Sequence, residues 1–134
     1  MKLNVRNLVE SDYDLLVQWW KDWGWSPVSK DMLPDNGLGG IMIQSEKTPI
    51  IAGFIYWTNS DAVWLEWVVS DKKANRITRA KALMTIIDVV EEMARAEGKK
   101  YLVTFSDNKS FISTLKKKSW YVDDEPIKKI IKKI

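Results

Sequence analysis

Residues 108–120 read Asn-Lys-Ser-Phe-Ile-Ser-Thr-Leu-Lys-Lys-Lys-Ser-Trp. Asn108 is a suitable helix N-cap, because its side-chain oxygen can accept an otherwise unpaired amide of the first turn. The stretch follows a short apolar run at 101–105 that reads as a strand. A strand leading into a capped helix that ends near an aromatic residue is the part of the chain that decides its architecture.

Working outward, residues 75–96 read as a long helix. Ala80, Leu83, Ile87, Val90 and Ala94 share one face, and Gly98 stops it. Residues 62–70 precede it as a strand rich in valine and tryptophan, and 41–44 and 50–58 are two further strands joined across 45–49. The N-terminal residues 2–8 alternate Leu3, Val5 and Leu8 with polar residues and read as another strand. Ser11 is the expected N-cap of the helix that follows. Asp12 and Asp14 suit the positive end of its dipole, and Gly24 ends it. Between 25 and 40 glycine and proline predict loop with one helical turn. A strand is expected near 120–122. The order β-α-loop-β-β-β-α-β-α-β-β predicts an α/β protein: a mixed central sheet with helices on both faces, in a single domain spanning 1–134.

The tail carries conflicting signals. Ile127, Ile130, Ile131 and Ile134 have helical spacing, whereas the place of this segment at the end of such a sheet favours a strand.

Composition excludes several chemistries. Of 134 residues, 46% are hydrophobic and 29% charged, ordinary for a globular protein. Cysteine and histidine are absent, so disulfides, thiol nucleophiles, histidine bases and Cys/His zinc sites are ruled out. Acid–base work falls to Asp, Glu, Tyr, Lys or water. No apolar run approaches the ~20 residues of a membrane span, and the basic start is not followed by a signal-peptide core. A cytoplasmic protein with no membrane partner is expected. The net charge is +3. Lys72, Lys73, Arg76, Arg79 and Lys81 crowd the strand-to-helix turn, either as a solvated face or as a phosphate site. The tryptophans and lysines cluster in different segments, which disfavours single-stranded nucleic acid as a partner.

The spacing of Asn108, Phe111, Leu115, Ser119 and Trp120 resembles the last conserved segment of the GNAT superfamily of N-acetyltransferases. There the pattern is Asn, an apolar residue, usually Tyr, then Gly-Phe. The opening Val5-Arg6, Glu10-Ser11-Asp12 and Leu15-Leu16 are similar to that family's first strand and helix. The family's cofactor pattern of Arg or Gln, two residues, Gly, one residue, then Gly or Ala falls on Asn75, Thr78 and Ala80. Only Ala80 is a usual member of it. Thr78 stands where a glycine would let backbone amides approach a pyrophosphate, and Arg76 and Arg79 lie beside the pattern.

The resemblance implies an α/β GNAT-like fold and transfer of an acetyl or related acyl group from acetyl-coenzyme A to a primary amine. It implies a general base at Glu66, four residues before the strand ends at Ser70, with Trp64, Leu65 and Trp67 raising its pKa. If Trp64 and Val68 point to the core, Glu66 does too; if Leu65, Trp67 and Val69 form the core set, Glu66 faces water. Backbone amides near Val68 or Val69 would hold the acyl oxygen. Asn75, Arg76, Thr78, Arg79, Ala80 and Asn108 are the other cofactor candidates. The family's tyrosine acid is replaced by Leu115. Trp19, Trp20, Trp23 and Trp25 would border the acceptor pocket. Partners implied are an amine acceptor and, as an option, a second copy in a homodimer. The alternative is a non-catalytic GNAT-like interaction or coenzyme A-sensing protein, favoured by the missing glycine and tyrosine.

Overall fold

The computed structural model describes residues 2–134. Strands β1 (Leu3–Asn7), β2 (Gly40–Ser45), β3 (Thr48–Trp57), β4 (Ala62–Ser70) and β5 (Tyr101–Val103) form one sheet in chain order. The pairs from β1 to β4 are antiparallel; short turns join β2 to β3 and β3 to β4, whereas residues 8–39 run between β1 and β2. The β4–β5 pair is parallel, which requires a crossover, and helix α2 (Arg76–Ala96) supplies it. Helices α1 (Asp12–Asp22) and α3 (Lys109–Lys117) complete the set.

Two-residue alternation sorts the strands onto two cores. Ile41, Ile43, Ile51, Ile55, Val63 and Leu65 pack against Ala82, Ile86, Ile87, Val90 and Ala94 of α2, joined by Phe111 and Leu115 of α3. Met42, Ala52, Phe54 and Val69 face the other way, against Leu16, Trp19 and Trp20 of α1. The rings of Trp20 and Phe54 stack with centroids 6.4 Å apart. The sheet therefore lies between α1 on one side and α2 with α3 on the other, as the sequence predicts. The buried stripe of α2 is centred on Ala82 and Ile86; Ala80, expected on it, is exposed.

Local signals differ from expectation in a few places. Ser11 makes no capping bond. Asp12 instead ties the helix start to the end of β1, accepting the Val9 amide at 2.8 Å and two hydrogen bonds from the Arg6 guanidinium at 2.7 and 2.8 Å. Burial pushes the Asp12 carboxyl up, but Arg6 and the Val9 amide outweigh it, so its pKa lies below the ordinary carboxylate value. Pro49, expected in the β2–β3 connection, lies in β3 beside a register shift, where its missing N–H is tolerated. The 25–40 loop holds the expected single turn as a 3-10 helix at Lys30–Met32, followed by a tight turn at Pro34–Gly37 in which Asp35 and Asn36 take φ of 50° and 53°.

The largest correction is at the C-terminus. Neither the strand expected at 120–122 nor one at 127–134 forms, and β5 stops at Val103 rather than 105. The tail has a physical reason. A strand would put Ile127 and Ile131 on one face and Ile130 and Ile134 on the other, with lysines on both, so neither face could be buried.

Candidate functional site

β4 changes phase in its middle. β3 pairs Ala52 with Val69 and Phe54 with Glu66, so Gly53 faces the two residues Trp67 and Val68. This is a β-bulge, and Trp67 takes it up with φ +59°, a conformation costly for a bulky aromatic. Gly53 permits the crowding, since a Cβ there would lie 3.1 Å from Leu65 and 3.2 Å from both Ile86 and Val68. Because of the bulge, Val63 and Leu65 pack on the α2 side while Val69 packs on the α1 side. Neither simple alternation holds. Glu66 is half-buried, turned away from the fully buried set but not into bulk water.

β5 pairs with β4 only through Ala62, Val63 and Trp64. Beyond that point the two strands separate. The Thr104 hydroxyl donates to the Leu65 carbonyl, and the Phe105 amide donates to Glu66 Oε1 at 3.1 Å. These side-chain bonds replace ladder bonds and hold open a cleft of about 510 Å³. One wall is β4 from Glu66 to Ser70. A second is Arg76, Arg79, Ala80 and Leu83 of α2, a third is the 104–108 segment with Ser110 and Phe111, and Trp20, Trp23 and Trp25 close the end.

Burial pushes the Glu66 carboxyl up to about 7, with the Phe105 amide acting weakly the other way. Next to it, Trp67 Nε1 donates to the Tyr56 hydroxyl at 2.7 Å, which donates to the Met32 carbonyl at 2.9 Å. This chain fixes the Trp67 ring at the mouth of the cleft. Burial raises the Tyr56 pKa, the Trp67 bond lowers it, and the Glu66 charge adds to the rise.

The basic rim is organised around Trp23. Its Nε1 donates to the Ser70 carbonyl at 2.8 Å, and its ring stacks on Trp25 at 5.8 Å. Lys72 Nζ lies 5.2 Å and the Arg79 guanidinium 5.4 Å from the Trp23 ring centre. Arg79 Nε is buried in this setting with no hydrogen-bond partner. An unpaired buried guanidinium nitrogen is costly, and an anion in the cleft would satisfy it.

Of the residues singled out in the sequence, Glu66, Val68, Val69, Arg76, Arg79, Ala80 and Asn108 line this one cleft. Asn75 and Thr78 do not line it. Asn75 caps α2, accepting the Ile77 amide at 2.8 Å and the Thr78 amide at 3.4 Å. It thus occupies amides that a phosphate would otherwise use. Asn108 caps α3 through the Phe111 amide at 2.9 Å and also lines the cleft. Leu115 is 4% exposed and belongs to the core, so the place of the absent tyrosine is filled with packing. Trp67, Thr104 and Phe105 were not singled out as site residues. Their signal lies in the bulge and the strand separation, which periodicity does not report. Among the described residues no group of acidic side chains is arranged to hold a metal, and no helix is long and apolar enough to cross a membrane.

The overall fold has counterparts among solved structures. An acetyltransferase of Trypanosoma brucei superposes with TM-score 0.67 at 18% identity, covering 97% of this chain and 100% of that one. The ribosomal-protein-S18-alanine N-acetyltransferase of Escherichia coli gives TM-score 0.69 at 10% identity, over 87% of this chain and 76% of that one. AAC(6′)-Iy, solved with the bisubstrate analogue CoA-S-monomethyl-acetylneamine, gives 0.63 at 13% identity, with both chains fully covered. The chain has the GNAT acetyltransferase fold. No family model matches the sequence, and no curated protein matches it. The GNAT fold is thus kept here at 10–18% identity to such neighbours.

Proposed function

We propose that the protein is an N-acyltransferase that moves an acetyl or related acyl group from acetyl-coenzyme A to a primary amine. The observation that supports this most is the placement of Glu66, its carboxyl raised to about 7 at the bulge, in the same cleft as the unpaired Arg79 nitrogen. A group with pKa near the working pH is suited to taking a proton from an ammonium nucleophile.

The residues present fit the cofactor. Arg79 and Arg76 would hold its phosphates, and the Asn108 end of the cleft would receive the arm. Bound acetyl-coenzyme A would supply the acyl group as an activated thioester. Glu66 accepts the proton of the amine, and its Phe105 contact keeps the carboxyl oriented across the gap. Backbone N–H groups of β4 at the bulge around Val68 and Val69, beyond the last β5 pair, would be the donors to the acyl carbonyl oxygen. Trp23, Trp25 and Trp67 exclude water from the acceptor side. With Leu115 buried, no phenol stands ready to protonate a leaving thiolate there, so solvent serves that step.

Leu115 and the Asn75 cap also favour a second reading, a protein that binds coenzyme A without turnover. Calorimetric titration with acetyl-coenzyme A, followed by thiol release over a panel of amines, separates the two. Micromolar binding with thiol release supports the transferase. Binding without release supports the sensor, and no heat at millimolar cofactor overturns both.

A further inference from the structure

Residues 126–134, Pro-Ile-Lys-Lys-Ile-Ile-Lys-Lys-Ile, take no part in the fold just described. Among the described residues no hydrogen bond or ion pair involves them; Lys129 Nζ, 5.2 Å from the Trp67 ring centre, is their aromatic contact. Ile127, Ile130, Ile131 and Ile134 are 70%, 90%, 60% and 113% exposed. Isoleucine left in water this way lacks a partner.

Wound as an α-helix at about 100° per residue, those isoleucines fall within an arc of about 100°, and Lys128, Lys129, Lys132 and Lys133 fill the opposite side. Pro126 suits the first helical position, and Asp123, Asp124 and Glu125 lie at the end where negative charge is favoured. Nine residues are too few to hold a helix alone in water, which accounts for the coil seen here. An apolar surface that is also negatively charged would supply what is missing.

Among the described residues, the apolar groove that lies beside acidic side chains does not offer one. The apolar groove on the outside of α2, at Val89, Met93 and Ala96, is flanked by Asp88 and Glu92. Asp88 already pairs with Lys118 at 2.6 Å, and Glu92 pairs with Arg95. Its charge is spent within the chain, which argues against a second copy as the occupant. We propose that residues 126–134 form a basic amphipathic helix that docks on an anionic lipid surface, isoleucines in the acyl boundary and lysines among the headgroups. This docking needs no spanning segment and is compatible with the absence, among the described residues, of a helix able to cross a membrane. The site in the cleft plays no part in the argument.

The test is co-flotation of the full chain with lipid vesicles. Partition onto phosphatidylcholine vesicles carrying about 30 mol % phosphatidylglycerol should exceed that onto pure phosphatidylcholine by roughly tenfold or more, and should fall as salt is added. Far-UV dichroism should gain helix only with the anionic vesicles. Two double variants, Ile130→Ser with Ile131→Ser and Lys132→Gln with Lys133→Gln, alter exposed residues alone, so their thermal melts should match the parent. Both should lose most of the binding. Equal partition onto neutral and anionic vesicles would overturn the proposal. So would binding kept in full by the serine variant, or concentration-dependent self-association without vesicle binding.

Discussion

Replacing Glu66 by Gln tests the site without knowing the acceptor. Burial raises the Glu66 carboxyl from 4.5 to about 7 in the folded protein. Between those values the folded state holds a proton that the unfolded chain releases. Stability therefore falls as pH rises through this window, and levels off above about 7. The gap corresponds to roughly 3.5 kcal/mol at about 1.4 kcal/mol per tenfold in proton affinity. Glu66 is only half-buried, and solvent contact reduces the effect to about 1–2 kcal/mol. Glutamine keeps the oxygen that accepts the Phe105 amide and has no charge to bury. The variant should thus match the parent near pH 4.5 and exceed it at pH 8, by roughly 3–8 °C in Tm for a domain of this size. Thermal unfolding of both proteins across pH 4.5–8 is the assay, and the difference between them cancels every other titrating group. A difference that does not change with pH, or a variant less stable at pH 8, would refute the burial argument. The same substitution should lower kcat by about 10²-fold and remove an acidic limb centred near pH 7, with coenzyme A affinity little changed.

Three further outcomes follow from particular contacts. Arg79→Ala removes the guanidinium stacked on Trp23 together with its unpaired nitrogen, and should weaken coenzyme A about 10–100-fold by calorimetry while leaving the melt nearly unchanged. Asp12→Ala strands Arg6 and the Val9 amide, and urea denaturation should show a loss of about 2–3 kcal/mol at pH 7; because the Asp12 pKa is lowered in the fold, that contribution is present above the ordinary aspartate value and disappears as pH falls through the folded one. Leu115→Ala empties a core position beside Phe111, and should cost about 2–4 kcal/mol in the same measurement.

Much of the fold was legible because local and tertiary preferences agree. Ile41 and Ile43, with Met42 between them, alternate as a strand must when a helix covers each face. Asn108 sits where an unpaired first turn needs an oxygen and accepts the Phe111 amide as expected, and Asn75, read from the sequence only as a cofactor candidate, does the same for α2. Gly24 and Gly98 end their helices with φ +79° and +73°. Ser11 was misread because the residue after it, Asp12, can reach back to both Val9 and Arg6. The sequence does not show that a buried ion pair will displace a simple cap. The tail follows neither of its two signals: the strand that its place in the fold favours does not form, and neither does the helix that its isoleucine period favours.

The candidate site was half legible, and the bulge explains which half. Counting along β4 places Glu66 near the end of the strand but cannot say which way it points, because a period of two gives only the alternatives of core and water. Inserting one residue at Trp67 breaks the count. Leu65 and Val69 are then buried on opposite sides of the sheet, and Glu66 and Trp67 are left at the step between them. The same step carries β4 away from β5 and opens the cleft. Position, partial burial and raised pKa of Glu66 thus share one cause. That cause is a backbone event, Trp67 at φ +59° opposite Gly53, made possible by the absence of a side chain on the neighbouring strand. A glycine facing two residues of β4 is visible in the sequence only as a glycine, and its meaning appears once the register of the sheet is known.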